Sequence, residues 1–184
     1  MSYKLIKTGI KEIKIIEPSI FTDKRGYFFE SFNLRILQNL LDFEYNFVQD
    51  NHSRSKKNVL RGLHFQKTKP QGKLVKVIKG EIFDVAVDLR KNSKTFTNWT
   101  GHYLSSSNKH QIWIPPGFAH GFYVLSDFAE VFYKTTEYRD SNDEYCLSWN
   151  DPTFNIKWPT KNMPILSEKD RNAKLFSEIS SDLE

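Results

Sequence analysis

Several residues with proton-transfer or anion-binding chemistry stand in stretches whose patterning is otherwise apolar. His64 lies in Val59-Leu60-Arg61-Gly62-Leu63-His64-Phe65-Gln66, and an imidazole titrates near neutral pH, so it can take up and release a proton under ordinary conditions. Lys73 opens Lys73-Leu74-Val75-Lys76-Val77, where strand parity sets it beside Val75 and Val77 on an apolar face. An ammonium placed there costs free energy unless an anion accompanies it. In Ala129-Glu130-Val131-Phe132-Tyr133-Lys134 the same parity groups Tyr133 with Ala129 and Val131 and sends Glu130 and Lys134 to the other side, so the phenol is expected to face an interior. Asp170 closes Ser167-Glu168-Lys169-Asp170, an S-x-x-D pattern suited to capping a helix start. Arg61 and His64 pose a geometric question. Three positions apart, they would leave a regular strand on opposite faces, but a bulge at Gly62 would turn both toward one cavity.

Metal chemistry is not expected. His64 and His120 alone make a poor site, because a stable centre needs three or four protein ligands. The single Cys146 forms no zinc-type spacing with a histidine and no internal disulfide, which fits a reducing compartment. Met1 to Ile20 is interrupted by Lys4, Lys7, Lys11, Glu12, Lys14 and Glu17, so neither a signal peptide nor a membrane span is expected and a cytoplasmic location follows. The net charge of +5 arises from 27 basic and 22 acidic residues interleaved along the chain, a distribution that suits a small anionic substrate better than nucleic acid or a membrane surface. The one dense basic cluster, Arg54-Ser55-Lys56-Lys57, reads as a solvated loop.

These residues need a scaffold, and the patterning predicts an all-β one. At 184 residues, with 15% aromatics, the chain has enough apolar bulk for a single domain over 1–184. Strands are expected over Lys73–Ile78, Glu81–Leu89, Gln111–Pro115 and Ala129–Tyr138, with a Lys79-Gly80 turn between the first two. Short helices are expected over Asn33–Asp42, where Leu34, Leu37, Leu40 and Leu41 recur at helical steps, and in a tail from about 165 that carries Ala173, Leu175, Phe176 and Ile179. Strands at this spacing, with Gly and Pro at the corners, suggest a sandwich or a jelly-roll barrel that encloses a ligand between its sheets.

Ile114-Pro115-Pro116-Gly117-Phe118-Ala119-His120-Gly121-Phe122 resembles the second motif of cupins, which are small jelly-roll barrels. The first cupin motif offers H-x-H to a metal, whereas this chain has His64-Phe65-Gln66. Over a longer span the chain is similar to the dTDP-4-dehydrorhamnose 3,5-epimerase family, a metal-independent, cofactor-free cupin branch. The likeness runs in order through Asp23-Lys24-Arg25-Gly26-Tyr27-Phe28-Phe29-Glu30, Val48 to Ser53, Val59 to Gln66, Gln71 to Val75, Asp84 to Arg90, Gln111 to Phe122, Tyr133-Lys134, Trp149 to Pro152 and Leu166 to Asp170.

The resemblance implies inversion of C3 and C5 beside the C4 ketone of a dTDP-linked 4-keto-6-deoxysugar, in dTDP-rhamnose synthesis for surface polysaccharide. It implies His64 as base, Asp170 as the carboxylate that orients it, Tyr133 as the acid on the opposite face, and Lys73 at the enolate oxygen. Arg25 and Arg61 become diphosphate and nucleotide contacts, and Glu30, Gln49, Asn51, His120, Glu144 and Lys169 become further substrate contacts. It also implies a homodimer that exchanges N-terminal strands, so that part of each site comes from the neighbour. The chain departs from the family after Tyr138, where Arg139-Asp140-Ser141-Asn142-Asp143-Glu144 replaces a second aromatic and a proline, and Ser93 to Trp99 lacks the usual Pro and Gly. Three alternatives stay open: inversion of C3 alone, a related nucleotide sugar, and a sugar-nucleotide-binding cupin without catalysis.

Overall fold

Alternating apolar residues pair the strands into two facing sheets, and the spacing between those sheets is what makes room for a site. The computed structural model describes residues 3–41 and 44–180. Its elements are β1 (Tyr3–Lys7), β2 (Lys14–Pro18), β3 (Phe21–Asp23), β4 (Gly26–Phe28), α1 (Leu34–Leu41), β5 (Gln49–Lys56), β6 (Leu60–Gln66), β7 (Lys73–Lys79), β8 (Glu81–Asp88), β9 (Trp99–Ser105), β10 (Gln111–Ile114), β11 (Phe118–Val124), β12 (Phe128–Thr135), β13 (Glu144–Cys146), α2 (Glu168–Arg171) and α3 (Phe176–Ile179). One sheet has the order β1-β2-β10-β7-β12-β5 and the other β13-β6-β11-β8-β9, while β3 and β4 form a separate two-stranded ribbon. Every named pairing is antiparallel. The arrangement is jelly-roll-like, as expected, although the two sheets are not hydrogen-bonded into a closed barrel.

Strand parity decides what each face buries. Val75 and Val77 of β7, Ala129 and Val131 of β12, Ile82 and Ala86 of β8, and Phe122 and Val124 of β11 form one buried cluster, against which Tyr133 packs. The alternate residues of the second sheet, among them Leu63, Phe65, Val85, Val87 and Ala119, lie in another cluster with Phe154, Trp158, Leu166, Phe176 and Ile179. That cluster ties the C-terminal segment to the back of the sheet. On the outside of the first sheet, Leu37 of α1 joins Ile16, Leu74 and Trp113.

The elements follow the sequence reading with instructive differences. The first helix is capped by Asn33, whose side-chain Oδ1 accepts from the Ile36 N–H at 3.2 Å, and the expected end at Asp42 lies outside the described residues. The C-terminal tail is two one-turn helices, α2 and α3, because Lys174 between them is taken by a β-bridge to Leu147, its carbonyl accepting from the Ser148 N–H at 2.9 Å. The cluster Arg54-Ser55-Lys56 belongs to β5, not to a loop. As an edge strand, β5 is paired only on the β12 side, and charged side chains on such an edge are ordinary protection against further pairing.

The decisive local feature is in β6. His64 lies opposite His120 and Arg61 opposite Phe122, so three steps along β6 match two along β11. One extra residue is therefore absorbed between Arg61 and His64, and both side chains border the same cavity. Gly62 sits at this point with φ of +117°, and a Cβ there would stand 2.5 Å from the Gly121 Cα and 2.6 Å from the His120 carbonyl oxygen. Both the backbone angle and the close approach require glycine. Gly62→Ala is expected to lose about 2 kcal/mol or more, read as a lowered urea midpoint at unchanged m-value; a midpoint equal to wild type would show that the bulge does not constrain this position.

Candidate active site

The cleft has two walls, one from each sheet. Gln49, Asn51 and Ser53 of β5, Lys73 of β7 and Tyr133 of β12 line it from the first sheet. Register explains the grouping: Asn51 lies opposite Tyr133 and Gln49 opposite Thr135, and Lys73 lies opposite Thr135 on the other side of β12. From the second sheet come Arg61 and His64 of β6, His120 and Phe122 of β11, and Glu144 of β13. An inner recess of about 130 Å³ adjoins a second of about 300 Å³ bordered by Lys169 and Asp170, and Arg61, His64, Arg139 and Glu144 border both. Together they reach the range of roughly 300–1,000 Å³ typical of small-molecule pockets.

His64 Nε2 lies 2.6 Å from Asp170 Oδ1. A carboxylate can only accept at neutral pH, so the imidazole carries its proton on Nε2 and presents the Nδ1 lone pair. Asp170 is buried, and its other oxygen accepts from the Ser167 hydroxyl at 2.7 Å, while that same hydroxyl accepts from the Asp170 N–H at 3.1 Å. The capping role expected of Ser167 thus also fixes the carboxylate. Burial alone would raise the Asp170 pKa, but the hydrogen bonds and charge from His64 and Ser167 hold it below the usual carboxylate range. It stays ionised and accepts the imidazole Nε2–H.

Lys73 and Tyr133 face this dyad from the opposite sheet. Lys73 is 7% exposed, and its Nζ donates to the His64 carbonyl at 3.3 Å. Burial pushes the ammonium down to about 8, against the opposing pull of Glu144 and Asp84. Burial and the nearby Glu144 charge push the Tyr133 phenol up, so it keeps its proton at neutral pH. His120 Nε2 lies 2.8 Å from Oδ2 of the fully buried Asp84. Glu144 Oε2 accepts from Arg139 Nη2 at 2.9 Å and from Lys169 Nζ at 2.5 Å. Burial would raise Glu144, yet these two cations bring it down to about 2.

His64, Tyr133, Lys73, Asp170, Gln49, Asn51, Arg61, His120, Glu144 and Lys169 are therefore brought together around this cleft. Arg25 and Glu30 are not. Arg25 sits on the turn between β3 and β4, pairs with Asp23 at 2.6 Å and is 84% exposed at its side chain. Glu30 gives its backbone carbonyl to the Tyr3 hydroxyl at 3.0 Å. The sequence reading missed Ser53, Gln71, Phe122 and Arg139 in the lining and Asp84 behind it. Parity with Gln49 and Asn51 would have found Ser53, and parity with His120 would have found Phe122.

Among the described residues one group has metal-binding potential: His64, Cys146 and Asp170 offer ligand atoms within 4.8 Å of one another. The spacing arises because β13 pairs with β6, which sets Cys146 opposite His64, a relation invisible in linear spacing. Its atoms are engaged with each other, since the Cys146 thiol donates to Asp170 Oδ1 at 3.4 Å. Gln66, where a cupin would have its second histidine, donates to the carbonyls of Lys69 at 2.8 Å and Tyr138 at 3.2 Å. Its amide oxygen accepts from the Asp140 N–H at 2.9 Å, so it anchors a loop.

Comparison with known proteins adds to this geometry. The family model described as dTDP-4-dehydrorhamnose 3,5-epimerase matches residues 7–178. A dTDP-4-dehydrorhamnose 3,5-epimerase of Salmonella typhimurium is 53% identical over 175 residues, covering 95% of this chain and 96% of the relative. The crystal structure of a dTDP-6-deoxy-D-glucose-3,5-epimerase from Legionella pneumophila in complex with dTDP-4-keto-L-rhamnose superposes with a TM-score of 0.96 at 51% identity, covering 99% of this chain and 97% of the other. A 3'-monoepimerase from Streptomyces bikiniensis in complex with dTDP-quinovose shares the fold at a TM-score of 0.88 and 26% identity, covering 95% of this chain and 89% of the other.

Burial and the Asp170 carboxylate push the Cys146 thiol up to about 12. It stays protonated throughout the neutral range, and a thiol alkylates only through its thiolate. Iodoacetamide labelling of the native protein, followed by intact mass, is expected to be much slower at pH 8 than for a free peptide thiol and faster in Asp170→Asn; peptide-like labelling at pH 8 would contradict this arrangement.

Proposed function

Because the chain belongs to the dTDP-4-dehydrorhamnose 3,5-epimerase family, we propose that it converts dTDP-4-dehydro-6-deoxy-D-glucose to dTDP-4-dehydro-L-rhamnose by inverting C3 and C5. The observation that carries this reading is the placement of a base and an acid on opposite walls of one cleft: His64 from the second sheet, Tyr133 from the first. Inversion beside a ketone requires a proton to leave one face of the carbon and another to arrive on the opposite face.

His64 takes the proton through Nδ1, and Asp170 steadies the resulting imidazolium. As the C–H bond breaks, charge develops on the C4 oxygen as an enolate, and the buried Lys73 ammonium is the group suited to stabilise it. Tyr133, held protonated, delivers the second proton from the other wall. The Tyr133 phenolate regains its proton from solvent and the His64 imidazolium loses its own, which returns the site to its starting state. Both target carbons flank the same ketone, so one enolate-stabilising group serves both steps. Arg61 and Lys169 supply charge for the diphosphate, and a guanidinium matches phosphate oxygens in a bidentate way. Gln49, Asn51, His120 and Glu144 line the space for the sugar and its linkage.

The proposal extends to assembly and setting. The β3-β4 ribbon leaves Phe21, Tyr27 and Phe28 exposed, and a second copy that covers those rings would carry Arg25 and Glu30 to its neighbour's cleft, completing the substrate contacts in a homodimer. In this single chain, β1 and β2 pair with each other within the six-stranded sheet. Among the described residues no helix is long and apolar enough to cross a membrane. We place the reaction in the cytoplasm, where its product would feed surface polysaccharide synthesis.

Turnover in heavy water is expected to give product carrying deuterium at both C3 and C5; deuterium at C3 alone would replace the double inversion by a single one. A pH profile tests the enolate assignment. With the Lys73 pKa at about 8, its charge is present below that pH and lost above it, so kcat/KM is expected to fall as pH rises through about 8. Lys73→Gln should lower the plateau by roughly 10²-fold or more and abolish that limb; the same limb in the variant would assign it to another group.

A further inference from the structure

We propose that Arg139, the residue that replaces an aromatic in the family pattern, is a specificity-determining ligand for the substrate's diphosphate, released from Glu144 when that anion binds. The proposal rests on the reading above that the substrate is a nucleoside diphosphate sugar.

Position is the first argument. Arg139 borders both recesses, as does Arg61. With the sugar between His64 and Tyr133, the charged linkage to the nucleoside must pass the boundary of the two recesses, where these guanidiniums stand.

Charge balance is the second. Arg61, Lys73, Arg139 and Lys169 border the cleft, whereas its acids are Glu144 and Asp170. Asp170 is engaged by His64, Ser167 and Cys146. Arg139, through Nε to Oε1 at 3.4 Å and Nη2 to Oε2 at 2.9 Å, and Lys169, to Oε2 at 2.5 Å, therefore share the single Glu144 carboxylate, and that one acid between two cations leaves an uncompensated positive charge. A diphosphate would neutralise it, and it has enough oxygens to engage Arg139 as well as Arg61 and Lys169, whose ammonium has donors to spare for Glu144.

Backbone and side chain of Arg139 differ sharply in how firmly they are held. The Arg139 N–H donates to Gln49 Oε1 at 3.0 Å, and Gln66 holds the carbonyl of Tyr138 and the N–H of Asp140 on either side. The Asp143 carboxylate accepts from the N–H groups of Thr68 and Lys69, at 2.8 Å each, farther along the same loop. The Cα is thus fixed, while the side chain is 57% exposed. Swinging the guanidinium from a carboxylate to a neighbouring phosphate requires side-chain rotation only. A fixed root with a mobile charged head suits a residue that closes on an anion after it arrives.

The test compares wild type with Arg139→Gln and Arg139→Lys. It measures turnover of the dTDP keto sugar, dTDP binding by calorimetry, and competitive inhibition by inorganic pyrophosphate, each at low and moderate salt. For Arg139→Gln, KM, the dTDP Kd and the pyrophosphate Ki are expected to rise together by about 10-fold, with kcat within threefold of wild type and a shallower dependence on salt. Arg139→Lys should recover part of the loss. Unchanged KM and unchanged pyrophosphate inhibition would overturn the proposal, leaving Arg139 a structural partner of Glu144. Weaker dTDP binding with unchanged pyrophosphate inhibition would also overturn it, since that places Arg139 at the nucleoside. If wild type neither turns over the keto sugar nor binds dTDP, the functional reading itself fails. If wild type does both and Arg139→Gln matches it, this inference alone fails.

Discussion

One extra residue in β6 is the constraint on which the site depends. A strand sends alternate side chains to opposite faces, so without the bulge at Gly62 either His64 or Arg61 would point into the cluster behind the sheet. With it, Leu60, Leu63 and Phe65 stay behind the sheet while Arg61 and His64 face the cleft. The packing and the chemistry then make the same demand on one glycine, whose Cα approaches Gly121 too closely for any Cβ.

From that point the remaining parts fall into a two-wall logic. The second sheet and the C-terminal segment build the proton acceptor: β6 supplies the imidazole, α2 its carboxylate, and Ser167 locks the carboxylate while capping α2. The first sheet supplies the opposing phenol and the buried ammonium from neighbouring strands in fixed register. What the scaffold provides is separation of two proton-handling groups across a cavity, with burial and the nearby Glu144 charge keeping the Tyr133 phenol protonated. An unpaired buried ammonium is costly to a folded protein, and Lys73 is tolerated here beside Asp84, Glu144 and a backbone carbonyl.

Much of this was legible from sequence, for identifiable reasons. Parity placed Lys73 and Tyr133 inward because β7 and β12 keep an unbroken register from Val77 opposite Val131 to Lys73 opposite Thr135, and Gly62 flagged the bulge because glycine within a strand has few other uses. Asp170 was legible as a helix-start residue, and its part in the dyad came from the family resemblance. Asp84, Cys146 and Arg139 were not singled out as site residues. Each reaches the cleft or its backing through contacts between segments far apart in the chain: Asp84 with His120, Cys146 with His64, Arg139 with Gln49. The tail is helical by its apolar spacing, which cannot reveal that Lys174 bridges Leu147 and parts the stretch into two turns. Arg25 and Glu30 show the converse case: the motif around them is clear, yet within one chain they stand apart from the cleft.

The claim that base and acid work from opposite faces is tested most directly by separating proton exchange from inversion. In heavy water, Tyr133→Phe should still wash deuterium into recovered substrate through His64 while inversion falls by about 10²-fold or more, and His64→Ala should lose both exchange and inversion. Inversion at the wild-type rate in Tyr133→Phe, or undiminished exchange in His64→Ala, would contradict the account.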